Sequence, residues 1–398
     1  MGISLTEGKS VPIDSWEVEK KYMKKEIGLY IHVPFCKSKC YYCDFISFAN
    51  KEMCFEEYIE AVIKEINYTD LSKYYIRTVY IGGGTPSILD SRYIVKVLSE
   101  IKLHVDNDAE ITIEVNPGTV NKEKLKDYKE AGVNRLSIGL QSTNDNLLKE
   151  IGRIHKYEDF LKVYEEAREI GFKNINVDLI FGLPNQSIEM LEESVKKVIE
   201  LKPEHISVYS LILEEGTKIY NMVAEGKIEL PSEELERRMY WTVKEMLEEA
   251  GYTHYEISNF AKPGYESRHN SDCWKQKEYI GIGVAAHSYL NDTRYSNIEN
   301  LEQYIENINN NAFDKNVTIH EKQTKDSKQM EYMLLGLRKL KGVSIKEFKN
   351  KFGQNPIFLY HKKLDKLVKE ELLEIDGDYI KLTDKGLDLA NLVWEEFV

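Results

Sequence analysis

The stretch Leu29-Tyr-Ile-His-Val-Pro-Phe-Cys36-Lys-Ser-Lys-Cys40-Tyr-Tyr-Cys43 joins two unlike patterns. Its first five residues, Leu29–Val33, are apolar, aromatic and β-branched, as in a buried strand. The remainder sets three cysteines at C-x3-C-x2-C spacing, in a loop directly after that strand. In parallel α/β folds, active-site residues collect on loops at the C-terminal ends of strands. Three crowded thiolates suit iron–sulfur or zinc chemistry. Structural zinc usually takes four closed ligands, whereas a four-iron cubane on three cysteines keeps one iron open. His32 is the nearest candidate for a fourth zinc ligand, although a strand-end histidine more often packs.

Outward from this stretch, short β-branched runs alternate with longer amphipathic ones. The strand candidates are Leu29–Val33, Thr78–Ile81, Glu110–Val115, Arg135–Gly139, Asn176–Ile180 and His205–Leu211. Between them the periodicity predicts helices over Glu56–Asn67, Ser91–Leu103, Lys122–Ala131, Glu158–Ile170 and Ile188–Leu201. Gly132, Gly171 and Gly251 stand where helices end in the left-handed conformation. Six strands alternating with helices imply βαβ units and a parallel sheet, open or curled into a barrel.

After Thr217 the pattern changes. Glu233–Ala250 reads as a charged amphipathic helix and Tyr252–Asn259 as one strand. Glu278–Leu290, rich in Gly and Ala, reads as closely packed backbone, and Asn309–Asn311 as the start of a linker. Lys328–Arg338, Ser344–Lys351 and Ile357–Lys369 are helix candidates. A hairpin turn at Ile375–Tyr379 and a final helix capped by Thr383 follow. That order suggests a helical, winged-helix-like C-terminal domain.

The balance of 54 Lys+Arg against 67 Asp+Glu leaves a charge of −13, which argues against nucleic acid or an anionic membrane as partner. No run is long and apolar enough to span a bilayer, and the first 22 residues lack a signal-peptide core. The expected location is the cytoplasm. Five cysteines, three of them within eight residues, are a poor disulfide framework and suggest a reducing compartment. Cys54 reads as structural. Residues 1–22 read as a dispensable extension, because Met23 begins Met-Lys-Lys-Glu-Ile-Gly just before the first strand.

C-x3-C-x-aromatic-C resembles the signature of the radical S-adenosylmethionine (SAM) superfamily. Tyr30-Ile-His-Val-Pro-Phe-Cys36, Gly82-Gly-Gly-Thr-Pro86, Arg135-Leu-Ser-Ile-Gly-Leu-Gln141 and Asp178-Leu-Ile-Phe-Gly-Leu-Pro184 resemble the oxygen-independent coproporphyrinogen III oxidase-like family. Arg268-His-Asn270 with Trp274, then Gly281-Ile-Gly-Val-Ala-Ala-His-Ser288, resembles its HemW-type heme chaperone branch. The resemblance runs from about Lys24 to the C-terminus. It implies an α/β fold, a partial (β/α)6 TIM-like barrel, over residues 23–260. A heme-motif and linker region over 261–322 and a smaller C-terminal domain over 323–398 complete the expected division.

It also implies a 4Fe–4S cluster on Cys36, Cys40 and Cys43, whose open iron is chelated by SAM. Reductive cleavage then gives methionine and a 5′-deoxyadenosyl radical. Gly83, Gly84 and Thr85 match the family's segment for the methionine part of SAM, and Tyr30 its tyrosine at that site. Glu114, Gln141, Arg153 and Asp178 are further expected SAM contacts. Arg153 offers a guanidinium fork for a carboxylate, and Asp178, in an apolar strand, needs a ligand or arginine partner. Tyr42 is placed to pack on adenine, and Ile212 to form an apolar wall.

The coproporphyrinogen-oxidising members carry a further cysteine where this chain has Phe45, and a longer N-terminal segment that shapes their substrate site. Both departures argue against that activity, the alternative reading, and whether the chain is an enzyme stays open. The heme chaperones have His-Asn-x-x-Tyr-Trp, and here His269, Asn270, Cys273 and Trp274 stand in that pattern, with cysteine in place of tyrosine. Imidazole and thiolate both bind heme iron. His287 is a competing ligand and His254 a weaker one. The implied partners are heme, heme-acceptor proteins and an electron donor for the cluster, with a homodimer left open.

Overall fold

The computed structural model describes residues 24–398; the extension expected at 1–22 lies outside the described residues. Six parallel strands come first: β1 (Lys25–Val33), β2 (Tyr74–Gly83), β3 (Val105–Val115), β4 (Arg135–Gln141), β5 (Ile175–Phe181) and β6 (His205–Ser210). Each pairs with the next in chain order. The crossovers carry α1 (Phe55–Tyr68), α2 (Ser91–Ile101), α3 (Lys122–Glu130), α4 (Tyr157–Ile170) and α5 (Ile188–Leu201). All six strands and all five helices fall where the sequence predicts them, within a few residues at each end. β1 and β6 do not pair, so the barrel is partial.

Side-chain alternation explains the curl. Ile27, Leu29, Ile31 and Val33 point outward from β1 into a core shared with the helices, as do Val79 and Ile81, Leu136 and Ile138, Val177 and Leu179. The intervening positions are polar: Thr78 and Tyr80, Thr112 and Glu114, Arg135 and Ser137, Asn176 and Asp178, His205 and Ser207. The apolar face packs on helices, and the polar face is rolled into the barrel's interior.

Beyond β6 the expected single strand Tyr252–Asn259 is instead two. β7 (Thr253–Glu256) and β8 (Asn259–Ala261) fold back on each other and extend the sheet past β6. They follow α6 (Glu233–Glu249), the predicted charged helix. On the opposite edge, β9 (Tyr279–Ile282) runs parallel to β1, and β10 (His287–Leu290), β11 (Thr293–Asn297) and β12 (Val317–Lys322) continue antiparallel. The close packing expected of Glu278–Leu290 is real: a Cβ on Gly281 would lie 2.1 Å from the His287 carbonyl oxygen. α7 (Arg268–Trp274) lies between the two edges in sequence, and α8 (Leu301–Asn309) lies between β11 and β12. Asn309–Asn311 is therefore no linker; it closes α8, and the chain returns to the sheet. Half-buried Glu65 of α1 ties this edge down, accepting from Gly283 N at 2.8 Å, Asn297 Nδ2 at 2.7 Å and the Tyr304 hydroxyl at 2.5 Å.

Residues from Lys325 onward have their own hydrophobic cluster around Met333, Phe348, Leu367, Ile380 and Phe397. A three-stranded sheet of Val343–Ser344, Leu373–Asp376 and Tyr379–Leu382 supplies the wing. The predicted helix Ile357–Lys369 is broken into Pro356–Leu359 and His361–Lys369, because Tyr360 leaves the helical conformation. Thr383 caps the next helix through Gly386 N, as expected. The unit docks on the barrel through Leu340 N to Tyr255 O at 3.1 Å and Trp241 Nε1 to Asp388 at 2.8 Å. Arg338 lies between the rings of Trp274 and Trp394, at 4.6 and 4.7 Å from their centroids. No helix among the described residues is long and apolar enough to cross a membrane.

Candidate cofactor cavity and barrel plug

The loop after β1 is pinned on several sides. Gly84 N and Thr85 N donate to Val33 O and Phe35 O at 2.9 and 2.8 Å. Tyr41 N donates to Ile151 O at 3.0 Å, and Ile219 N to Tyr41 O at 2.8 Å. His32 faces the Ile46 carbonyl with Nε2 at 3.0 Å, which makes Nε2 the protonated nitrogen, and Nδ1 accepts from the Tyr30 hydroxyl at 2.9 Å. Both ring nitrogens are engaged, so His32 holds the loop and is not a fourth metal ligand. Gly83 has φ +110°, and a Cβ there would sit 2.4 Å from the His32 ring. Its glycine identity is thus required by the protein's own packing.

This loop and the C-terminal ends of β2 to β6 surround a cavity of about 480 Å³. Of the residues expected at the cluster and at SAM, Cys36, Cys40, Cys43, Tyr42, Gly83, Gly84, Thr85, Glu114, Gln141, Arg153, Asp178 and Ile212 line it. Tyr30 stands behind them, bonded to His32 and packed beside Tyr80, with ring centroids 6.3 Å apart. Ile212 and Phe45 are 66% and 63% exposed, so they form the rim and not a wall. Among the described residues no three His, Cys, Asp or Glu converge on one ion's position. A cubane asks for less, since each thiolate reaches a different iron. The donor set and the cavity fit a cluster with SAM beside it.

Polar partners set the electrostatics. Glu114 accepts from the Tyr80 hydroxyl at 2.8 Å and Gly83 N at 3.1 Å, and burial pushes its carboxyl up to about 7. Asp178 accepts from Asn176 Nδ2 at 2.7 Å and Ser137 Oγ at 3.2 Å, and burial raises it too. Arg153 donates to Gly139 O at 2.6 Å and to Cys40 Sγ at 3.6 Å, and its Nε has no partner. It braces β4 against the cysteine loop. Burial pushes the Cys43 thiol up to about 11, so metal binding there must displace a proton. Gln141 has φ +71° at a register shift in β4, backbone strain held at the cavity edge. Sequence reasoning missed Tyr80, Ser137 and Tyr209, which also line the cavity. Their signal was present: polar residues at every second position of otherwise apolar strands.

The residues expected at heme lie elsewhere. α7 closes the opposite, N-terminal end of the barrel. Buried Glu110 of β3 accepts from Arg268 N and His269 N at 3.1 Å each, and Ser267 caps the helix through Asn270 N. The His269 side chain enters the barrel, where Nδ1 meets Thr78 Oγ1 at 2.8 Å and the ring lies 5.3 Å from that of Tyr80. Thr78 is five residues before Gly83 on β2, about 16 Å along the strand. Burial lowers His269 to about 4 and raises Cys273 to about 12, so the pair is a neutral imidazole and a neutral thiol. Trp274 faces the C-terminal unit through Arg338. His287 is exposed and stacks on His320, with ring centroids 5.4 Å apart. His254 stacks on Phe260 at 4.2 Å and bonds Ile257 O at 3.1 Å, which are packing roles.

Known proteins resemble this chain over most of its length. The family model of the Radical SAM superfamily matches residues 30–198, and that of the HemN C-terminal domain matches 324–389. The chain is 39% identical over 378 residues to the heme chaperone HemW of Lactococcus lactis, covering 94% of this chain and 98% of that one. It is 41% identical over 374 residues to the heme chaperone HemW of Bacillus subtilis, covering 93% and 98%. Coproporphyrinogen III oxidase (HemN) from Escherichia coli superposes with a TM-score of 0.82 at 24% identity, over 97% of this chain and 93% of that one. That likeness bears on the fold.

Proposed function

Since the chain belongs to the heme chaperone HemW family within the radical SAM superfamily, we propose that it binds heme and passes it to acceptor proteins, carrying a 4Fe–4S cluster and SAM. The observation that carries this reading is near-full-length likeness to the HemW chaperones, joined to a barrel with a three-cysteine cavity at one end and the His269 helix at the other.

Cys36, Cys40 and Cys43 are the proposed cluster ligands. When bound, a cluster with an open iron beside SAM supplies one-electron reductive chemistry. Around it, Gly83, Gly84 and Thr85 offer backbone and hydroxyl groups, while Glu114 and Asp178 offer hydrogen-bond acceptors to ribose or ammonium. Gln141, Arg153, Tyr30, Tyr42 and Ile212 complete the proposed SAM site. Arg153 keeps the cysteine loop in register with β4. His269, Asn270, Cys273 and Trp274 are the proposed heme region, where a neutral imidazole meets iron without competition from a proton. The separate hydrophobic clusters support a boundary near residue 323, between the radical SAM core with its heme region and the C-terminal unit. An electron donor, a cytoplasmic location and a homodimer belong to the same proposal.

Heme titration of the anaerobically reconstituted protein, with and without SAM, tests the reading. A heme-dependent spectral change that His269→Ala and Cys273→Ala weaken supports it. No spectral change would sink it, and a change untouched by both substitutions would move the heme site away from α7. Coproporphyrinogen turnover would instead favour the oxidase reading.

A further inference from the structure

Arg135 is 2% exposed and faces the barrel interior from β4. In register it stands beside Thr112, while Ser137 stands beside Glu114 and Gly139 beside Asp178. Its side chain therefore originates one inward-facing step, about 7 Å, below the level of Glu114 and two steps, about 13 Å, below that of Asp178, on the strand between theirs. Among the described residues it makes no ion pair, and its Nε finds no hydrogen-bond partner. A buried guanidinium is costly unless its charge is answered.

We propose that Arg135 is a positioning residue that keeps Glu114 and Asp178 ionised to receive SAM, acting from beneath the cavity without touching the ligand. The inference rests on the proposed SAM site.

The other groups facing this region leave the task to Arg135. Glu110 is engaged by the first amides of α7, and Glu256 by Ser258 N and Asn259 Nδ2. Burial holds His205 and His269 neutral. It raises Tyr30, Tyr80, Tyr209 and Tyr255, so all four keep their protons. The cavity's other cation, Arg153, is directed at Gly139 O and Cys40. Burial raises both carboxyls, the Asp178 charge raises Glu114 further, and Arg135 is the guanidinium that opposes both shifts. Two partly buried carboxylates flanking one strand are hard to keep charged together without such a cation.

The test is SAM binding to the anaerobically reconstituted protein across neutral pH, for the unaltered chain, Arg135→Gln and Arg135→Lys. Titration of SAM's own amino group is common to all three and cancels in the comparison. In the unaltered protein affinity falls as pH drops through about 7. Arg135→Gln moves that midpoint up by about one unit, so binding is roughly fivefold weaker at pH 7, roughly tenfold weaker in mild acid, and recovers in alkali. Arg135→Lys restores the midpoint. Equal loss at every pH in both variants, or an unmoved midpoint in Arg135→Gln, overturns the inference. If Arg135→Gln does not fold, Glu114→Gln carries the test: the pH dependence flattens, and its persistence overturns the inference. No SAM binding by the unaltered protein at any pH overturns the underlying site and the inference with it.

Discussion

At the C-terminal end of the barrel, three cysteines, two raised carboxylates and a strained glutamine surround an open cavity of about 480 Å³. At the N-terminal end, Glu110 answers the first amides of α7, and His269 sits bonded to Thr78 inside the barrel. The same six strands serve both ends, yet one holds unmet polar potential and the other has been closed. The difference teaches where each motif can act. A ligand enters the cavity without moving the barrel, whereas heme iron reaches His269 only if α7 yields.

The comparison breaks most decisively at the cysteines. Replacing any of Cys36, Cys40 or Cys43 with alanine is expected to reduce iron and sulfide after reconstitution to background, while far-ultraviolet circular dichroism stays native. Retained iron in all three variants would dissolve the contrast.

His269 and Glu114 titrate in opposite senses. His269 has a folded value of about 4, below its unfolded value of 6.5, so stability is complete above 6.5 and drains as pH falls toward 4. His155, at about 3, and His254, at about 4, add to the same limb. One such histidine accounts for about 3 kcal/mol by the acid end. Denaturant melts across that range should show the decline, and His269→Gln should flatten part of it.

Removing the acceptor under α7 is a smaller insult. Glu110→Ala leaves two amides unanswered and should cost about 2 kcal/mol in chemical denaturation. If the plug is what withholds His269, heme affinity should rise in this variant.

Smallest is the cavity carboxylate. Glu114 is raised in the fold to about 7, so its contribution is present in acid and lost as pH rises through that value. Glu114→Gln should therefore stabilise the cofactor-free protein by about 1 kcal/mol at pH above 7 while weakening SAM binding. A destabilised variant would mean the cavity is not held under electrostatic load.

Much of this was legible before any coordinates. The six strands and five helices showed in alternation of period, and the loop after Val33 was fixed by cysteine spacing. The C-terminal unit was visible in its helix order and turn residues. What escaped had a physical reason. Tyr252–Asn259 has strand composition throughout, and only the backward pairing of Phe260 with His254 reveals the turn. Asn309–Asn311 reads as a linker because asparagine favours turns, and nothing local shows that the next strand rejoins the sheet. His269 was found as a motif but not as a plug, since its partners Thr78 and Glu110 are more than 150 residues distant. Arg135 opens one of the motifs, but the motif does not show that it is buried. Its burial depends on which strand face rolls inward, although the polar alternation Thr78–Tyr80, Thr112–Glu114 and Asn176–Asp178 carried that information.

The junction between barrel and C-terminal unit has an optical consequence. The chain has four tryptophans, and three of them, Trp241, Trp274 and Trp394, stand at that seam. Trp274 and Trp394 face a cation, and Trp241 donates to Asp388 across the boundary. Intrinsic fluorescence of the unlabelled protein is thus weighted toward one interface. A red shift in tryptophan emission on adding heme, SAM or an acceptor would register separation of the two units.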